Sequence, residues 1–140
     1  MNLIDQLRRD EGEVLSAYAD HLGYLTIGVG VLIDKRKGGG ITAEESAYLL
    51  ANRIKSKEAE LRAALPWFDQ LDRIRQAALL NMAYQLGVEG LKGFPRMLAA
   101  LRDGRWAEAE YQALDSVWAK EQTPARAKRV ARQLASGEWQ

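Results

Sequence analysis

Several residue types that enzymes commonly use are absent or scarce in this sequence of 140 residues. There is no cysteine, which excludes disulfide bonds, a thiol nucleophile and thiolate metal ligands. Histidine occurs once, at His21, which excludes a two-histidine metal site and a serine–histidine hydrolase. A catalytic site built from this sequence therefore relies on carboxylates, lysine, tyrosine or hydroxyl groups, and we expect neither a metal ion nor a cofactor.

Long apolar runs are also missing. The longest unbroken ones are Ala47–Ala51 and Met97–Leu101, of five residues each, which is far too short for a membrane span. The first four residues are followed at once by charged side chains, so no apolar core of a signal peptide is recognisable. We expect no stable membrane insertion and no secretion signal.

The charges nearly cancel, with 20 basic and 19 acidic residues and a net charge of +1. The first 34 residues are acidic, with six acids and two arginines, and the rest of the chain is mildly basic. This basic excess is small and interrupted by acids, so we expect no nucleic-acid partner.

Capping signals and periodicity predict the elements of the front part of the chain. Asn2 and Asp5 form a capping box that opens a helix over residues 3–11, and Gly12 ends it. Alternating apolar residues then predict half-buried strands joined by a turn at Gly23. These residues are Leu15, Ala17 and Ala19, followed by Leu25, Ile27, Val29 and Val31.

The remainder of the chain has helical patterns. A capping box at Thr42–Glu45 opens a long helix that ends near Leu65, and its polar second half is typical of a helix that bridges two lobes. An almost wholly apolar helix follows from Asp72 to about Leu86 and ends at Gly87. Further helices are predicted around Pro95–Arg102 and Trp106–Leu114, and from a Thr123-Pro124 cap to near Gly137.

These elements predict an α+β fold in a single domain over residues 1–140. A small front lobe, about 12–60, contains a short antiparallel sheet. A long helix connects it to an all-helical back lobe, about 61–140, and we assign the N-terminal helix to the back lobe.

Glu11 and Asp20 are candidates for a pair of catalytic carboxylates. A helix end followed by a hairpin brings them near each other, and glycoside hydrolysis uses two carboxylates in this way. Glu11 suits the general acid, because the negative end of its helix disfavours the ionised form. Asp20 suits the ionised partner, and the hydroxyl of Thr26 is placed to hold a water near it. Spacing alone does not distinguish this pair from solvated surface carboxylates, since nineteen acids produce many such pairs.

The motifs around these positions, taken together and in order, resemble those of phage lysozymes. The resemblance covers nearly the whole chain. Its blocks are Glu11-Gly12, Tyr18-Ala-Asp20, Gly23-Tyr-Leu-Thr-Ile-Gly-Val-Gly30, Arg75-Gln-Ala-Ala-Leu-Leu-Asn-Met-Ala-Tyr-Gln-Leu-Gly87, Gly93-Phe94, Arg105-Trp106 and Gln122-Thr-Pro-Ala-Arg-Ala-Lys-Arg-Val130.

The resemblance implies a lysozyme-like fold with a cleft between two lobes. It also implies hydrolysis of the β-1,4 bond between N-acetylmuramic acid and N-acetylglucosamine in peptidoglycan. Glu11 matches the general acid of the family, Asp20 the second carboxylate, and Thr26 the hydroxyl that positions the attacking water. Inversion at the sugar is the outcome usually assigned to the family.

Further positions match substrate contacts. Leu32 and Tyr84 correspond to the two walls that contact the sugar, and Gln85 follows on the same wall. Arg126 corresponds to an arginine that packs against the catalytic glutamate and orients it. His21 follows Asp20 directly, and we interpret it as a solvated turn residue.

Three features differ from the family pattern. Val31 occupies the position where a well-known relative has a histidine that holds a structural ion pair, so that ion pair is absent here. The loop after Ile33 is shorter than in many relatives, which affects the number of sugar subsites. Met97 and Gln112 occupy positions where a well-known relative has a serine and an asparagine, so we assign neither to the substrate.

The resemblance predicts a monomeric endolysin that acts on the glycan strands of peptidoglycan during host cell lysis. It would accumulate in the host cytoplasm until a pore-forming phage protein gives it access to the periplasmic wall. Two alternatives remain, a lytic transglycosylase on the same substrate and a non-catalytic wall-binding module. A transglycosylase needs no bound water, so Asp20 and Thr26 argue against it. A binding module does not need Glu11.

Overall fold

A computed structural model describes residues 2–20, 22–33, 35–36 and 39–140, with the side chain of Glu11 outside the description. The chain forms two compact units, Met1–Leu49 (unit 1) and Leu50–Gln140 (unit 2). The lobe boundaries near residues 12, 60 and 61, the assignment of the first helix to the back lobe and the cleft stay predictions.

Unit 1 begins with helix α1, Leu3–Glu11, as the capping signals predict. The Asn2 side chain accepts a hydrogen bond from the Asp5 N–H at 3.0 Å, and the Asp5 carboxylate accepts one from the Asn2 N–H at 3.3 Å. At the other end Gly12 has φ of +74°, a value that glycine adopts readily. The helix therefore begins and ends through local contacts of its own residues.

A three-stranded antiparallel sheet follows, in the order β1-β2-β3. Its strands are Val14–Ala19, Leu25–Gly28 and Val31–Leu32. The prediction of one strand over Leu25–Val31 is wrong. The chain turns at residues 29–30, and Gly28 and Gly30 both have φ of +65°, so β2 and β3 are separate strands. The prediction of half-burial is also wrong for β1, in which only Tyr18 is partly buried.

Helix α2, Ala43–Ala64, crosses the boundary between the two units. Its predicted capping box is present, with Thr42 N–H donating to Glu45 Oε1 at 2.9 Å and Glu45 N–H donating to Thr42 Oγ1 at 3.1 Å. The helix is mostly exposed and buries only Leu61, which agrees with its polar sequence. It ends just before Pro66, as predicted.

The other helices belong to unit 2. They are a short 3₁₀ helix at Phe68–Gln70, α3 at Arg73–Lys92, α4 at Pro95–Arg102, α5 at Trp106–Leu114, a π-helical turn at Trp118–Gln122 and α6 at Pro124–Ser136. The predicted stop at Gly87 is confirmed, since Gly87 has a non-helical φ of +75° there. A second helical segment, which the pattern did not predict, then continues to Lys92. The π-helical turn has no counterpart among the predicted elements.

The hydrophobic core of unit 2 consists of side chains from its helices together with Leu61 and Leu65. Its largest fully buried members include Phe68, Leu79, Met82, Leu91, Met97, Leu101 and Leu134. The predicted apolar stripe of α6 is confirmed, since Ala127, Val130, Ala131 and Leu134 are all buried. Thr123 is the N-cap residue of α6 and Pro124 follows at its start, as predicted, but the Thr123 side chain makes no capping bond. Its hydroxyl oxygen instead accepts a hydrogen bond from Gln85 Nε2 at 3.4 Å.

The structure confirms the α+β class, with a small antiparallel sheet in unit 1 and a helical unit 2. Within the described ranges, no helix has both the length and the apolar content needed to cross a membrane.

Candidate functional site

The candidate general acid, Glu11, is the last residue of α1. The turn at Gly12 leads from there directly into β1, which begins at Val14. The sequence thus places Glu11 where helix and sheet join. Since its side chain lies outside the described part of the structure, its predicted role stays a prediction.

The Asp20 carboxylate is fixed by the hairpin turn that follows β1. Its Oδ1 accepts hydrogen bonds from the N–H groups of Leu22 and Tyr24, each at 2.9 Å. The backbone closes the same turn, with Asp20 N–H donating to the Tyr24 carbonyl at 2.8 Å and Gly23 N–H donating to the Asp20 carbonyl at 2.9 Å. Bonds from N–H groups suit an ionised carboxylate, which only accepts.

Thr26 lies near the start of β2 and is 5% exposed. Its Oγ1 donates a hydrogen bond to the Tyr24 carbonyl oxygen at 3.2 Å. Asp20 and Thr26 are therefore both bonded to the main chain of one residue, Tyr24. This shared partner brings the predicted carboxylate and hydroxyl into one turn of the chain.

Leu32 is the third predicted residue in the same part of the sheet. It pairs with Thr26 across β2 and β3, and Thr26 pairs with Tyr18 across β1 and β2. Directly paired residues in antiparallel strands point to the same face. Leu32 is 44% exposed, so it presents an apolar surface beside Thr26.

Tyr84 and Gln85 lie on α3 of unit 2 and have different environments. Tyr84 is 48% exposed and contributes to an apolar cavity of about 310 Å³. The amide of Gln85 is bonded within the unit, since Oε1 accepts from Trp118 Nε1 at 3.1 Å and Nε2 donates to Thr123 Oγ1. Gln85 thus ties α3 to the π-helical turn and the start of α6, and its predicted contact with sugar stays a prediction.

Arg126 contributes to the same 310 Å³ cavity. Its Nε donates to Asn81 Oδ1 at 2.9 Å and its Nη2 to the Asn81 carbonyl at 3.2 Å. Its predicted packing against Glu11 stays a prediction.

Sequence reasoning missed two contributors to these arrangements. The main chain of Tyr24 holds both Asp20 and Thr26, and Asn81 holds Arg126. Asn81 was recognisable in the sequence, because it is the one residue that interrupts the apolar run from Ala77 to Tyr84. Hydrogen bonds of main-chain groups cannot be predicted from residue type in this way, because every residue type carries the carbonyl and all but proline carry the N–H.

Two other predictions concern His21 and metal binding. His21 lies outside the described residues. Within the described ranges, no three His, Asp or Glu side chains come together as a set of metal ligands.

The phage lysozyme family model matches residues 8–135 of the chain. The chain belongs to this family. The match confirms the resemblance seen in the sequence motifs and supports a lysozyme-like glycoside hydrolase.

Phage lysozyme domains occur in proteins of very different length. The chain is 34% identical to the pre-baseplate central spike protein Gp5 of Enterobacteria phage T4, over 98% of the chain and 28% of that protein. It is 32% identical to the probable T4-type lysozyme 1 of Dictyostelium discoideum, over 95% of the chain and 93% of that protein. It is 29% identical to the probable T4-type lysozyme 2 of the same organism, over 97% of the chain and 95% of that protein.

The alignment with the spike protein extends over 162 positions, which exceeds the 140 residues of this phage lysozyme chain. The relative therefore carries residues that this chain lacks. The shorter loop expected after Ile33 stays a prediction.

Proposed function

We propose that this phage lysozyme domain hydrolyses the β-1,4 bond between N-acetylmuramic acid and N-acetylglucosamine in peptidoglycan. Glu11 protonates the leaving oxygen, and Asp20 with Thr26 activates the attacking water. The observation that carries the proposal is the joint attachment of Asp20 and Thr26 to Tyr24, in the hairpin that follows the helix ending at Glu11.

The proposed step needs two carboxyl groups in opposite states. Glu11 gives its proton to the glycosidic oxygen as the bond to the anomeric carbon breaks. The water oxygen forms the new bond to that carbon, and one water proton passes to the Asp20 carboxylate. The two N–H groups that hold Asp20 Oδ1 keep this carboxylate in place while it accepts the proton.

The biological setting follows as part of the proposal. The substrate is the glycan strand of the bacterial wall, and the role is host cell lysis as a monomeric endolysin. Access to the periplasmic wall from the host cytoplasm requires a pore-forming phage protein. The similarity to a spike protein offers a second setting for the same chemistry, in which the domain forms part of a longer chain.

The test compares the wild type with Glu11→Gln on outer-membrane-permeabilised Gram-negative cells and on purified peptidoglycan. Loss of the general acid should slow hydrolysis about 10²–10⁴-fold. Glu13→Gln is the matched control, because Glu13 is an exposed carboxylate two residues away that pairs with Arg8 at 3.1 Å. This control should lyse cells like the wild type.

Mass analysis of the released fragments separates the proposed hydrolase from the alternatives. Ordinary reducing ends support hydrolysis, whereas 1,6-anhydro ends would identify a lytic transglycosylase. Binding to peptidoglycan without any release of fragments would identify a wall-binding module. Equal lysis by wild type and Glu11→Gln would show that Glu11 is not the acid.

A further inference from the structure

Residues 88–92 form a short segment of unit 2 that lines two cavities, and we call this segment the strap. Its residues Val88, Glu89 and Lys92 line a groove of about 570 Å³ beside α2. The α2 wall of this groove consists of Lys57, Glu60, Ala63 and Ala64. Gly90 of the strap instead lines a second cavity of about 570 Å³, which Trp118 also lines. The strap is therefore a shared wall of the α2 groove and the Trp118 cavity.

The strap is weakly anchored to the rest of unit 2. It follows Gly87, where φ of +75° and ψ of 164° interrupt α3. Glycine adopts such a φ readily, so the main chain can change direction at this junction at little steric cost. Leu91 is the one buried side chain of the strap. A segment with a single buried anchor moves at a low free-energy cost compared with the core helices.

The charged side chains of the α2 groove are paired within each wall. Lys92 Nζ donates to Glu89 Oε1 at 3.1 Å in the strap, and Lys57 Nζ donates to Glu60 Oε2 at 3.4 Å on α2. Unit 2 is described throughout, and no hydrogen bond or ion pair in it crosses this groove. Glu89 is also 88% exposed. Each wall thus presents one cation and one anion to the groove, and no polar contact ties the strap to α2.

We propose that the strap is a movable wall that closes the α2 groove by an exchange of ion-pair partners. In the closed state Lys57 pairs with Glu89, and Lys92 pairs with Glu60. Two ion pairs exist before and after the exchange, and exposed pairs are weak, so the two states differ little in free energy. Movement of the strap toward α2 withdraws Gly90 from the Trp118 cavity and enlarges that cavity.

The movement has a consequence for the candidate substrate wall. Trp118 Nε1 donates to Gln85 Oε1 at 3.1 Å, so the Trp118 cavity adjoins the side chain predicted to contact sugar. This consequence, unlike the movement itself, rests on the proposed function. Closure of the α2 groove gives the substrate more room beside Gln85, and bound substrate in turn favours the closed groove.

The experiment reverses the charges of one wall at a time. Lys57→Glu with Glu60→Lys keeps the net charge and the pair within α2, but it places like charges across the groove. Glu89→Lys with Lys92→Glu does the same from the strap. The combination of all four substitutions restores opposite charges across the groove, and it is the matched control for both double variants. Relaxation-dispersion NMR of the amides of residues 88–92 measures exchange between open and closed states on the microsecond to millisecond timescale.

Exchange is expected in the wild type and in the fourfold variant, with a closed state populated at about 0.1–10%. Each double variant loses two cross-groove pairs, so its closed population should fall about two- to 30-fold. A wild type without exchange at residues 88–92 would overturn the proposal. Exchange of equal size in the wild type and both double variants would overturn it as well, because the charges would then play no part.

Hydrolysis of purified peptidoglycan tests the link to the substrate. If substrate binds the closed state, the half-saturating concentration should rise in each double variant by the factor by which its closed population falls, and the fourfold variant should reverse this rise. An unchanged half-saturating concentration in a double variant that has lost exchange would overturn this link. A wild type that releases no fragments would contradict the proposed function, whereas the NMR measurement would still decide whether the strap moves.

Discussion

The two units of the molecule are stabilised in different ways. In the described part of unit 1, Thr26 is the one buried residue, while the buried apolar side chains all lie in unit 2. Unit 1 instead has capping bonds, strand pairing and the hydrogen bonds around Tyr24. Asp20 and Thr26 therefore lie in the unit that short-range polar contacts hold together, whereas the buried apolar side chains lie in unit 2.

This difference shows how a small unit can hold reactive groups in place without a large core. The bonds between Asp20, Tyr24 and Thr26 join residues two to four positions apart. Such contacts cost little loop-closure entropy. We therefore expect substitutions in unit 1 to affect activity before stability, and core substitutions in unit 2 to do the reverse.

The largest stability effect is expected from a matched pair of leucines. Leu79 in unit 2 is fully buried, so Leu79→Ala should lower the free energy of unfolding by about 2–5 kcal/mol. Leu15 in β1 is 84% exposed, and Leu15→Ala should change the free energy of unfolding by no more than about 0.5 kcal/mol. Denaturant unfolding of both variants checks this contrast, and equal losses would show that unit 1 also depends on apolar packing.

A pair of threonines tests the capping contacts. Thr42 caps α2, so Thr42→Ala should lower the opening free energy of the first turn of that helix by about 1 kcal/mol. Thr123 is the N-cap residue of α6 but its side chain makes no capping bond, so Thr123→Ala should have a smaller effect on the first turn of α6. Native-state hydrogen exchange measures both, and the reverse order would contradict the assigned caps.

The smallest effect concerns the pH dependence of unit 2. Burial acts to raise the pKa of Asp72, but the hydrogen bonds and charge of Arg75 outweigh it and hold this pKa below its ordinary value of 3.8. A lowered folded pKa adds stability above pH 3.8, and this contribution is lost as the pH falls through the folded pKa.

Asp72→Asn keeps a capping oxygen but removes the charge. It should therefore be less stable than the wild type at neutral pH, by about 0.2–1 kcal/mol, since the Asp72 side chain is 43% exposed and solvent weakens the pairing. The difference should shrink in acid unfolding experiments below pH 3.8. A stability difference between Asp72→Asn and the wild type that grows as the pH falls would contradict the lowered pKa of Asp72.

Local signals in the sequence predicted much of this fold. The capping boxes at Asn2 and Thr42 involve side chains three residues apart, and both are present because such contacts need only local geometry. The buried stripe of α6 followed from helical spacing in the same way. The approximate ends of α1 and α2 were predictable for these reasons.

Predictions failed where tertiary contacts or main-chain geometry decide the structure. Thr123 has the sequence of a cap, but its hydroxyl is used by Gln85, which lies 38 positions away. Glycines at 28 and 30 split one apolar alternation into two strands. In the candidate site, the sequence indicated Asp20 and Thr26, whose catalytic roles stay predictions, but it did not indicate the Tyr24 main chain that joins them.

The most direct test of the proposed role of Asp20 is a joint measurement of activity and stability on Asp20→Asn. Asparagine keeps an oxygen for the N–H groups of Leu22 and Tyr24 but cannot take a proton from water. We expect peptidoglycan hydrolysis to slow about 10²–10⁴-fold, while the free energy of unfolding changes by no more than about 1 kcal/mol. Hydrolysis at the wild-type rate, or a loss of activity matched by unfolding, would contradict it.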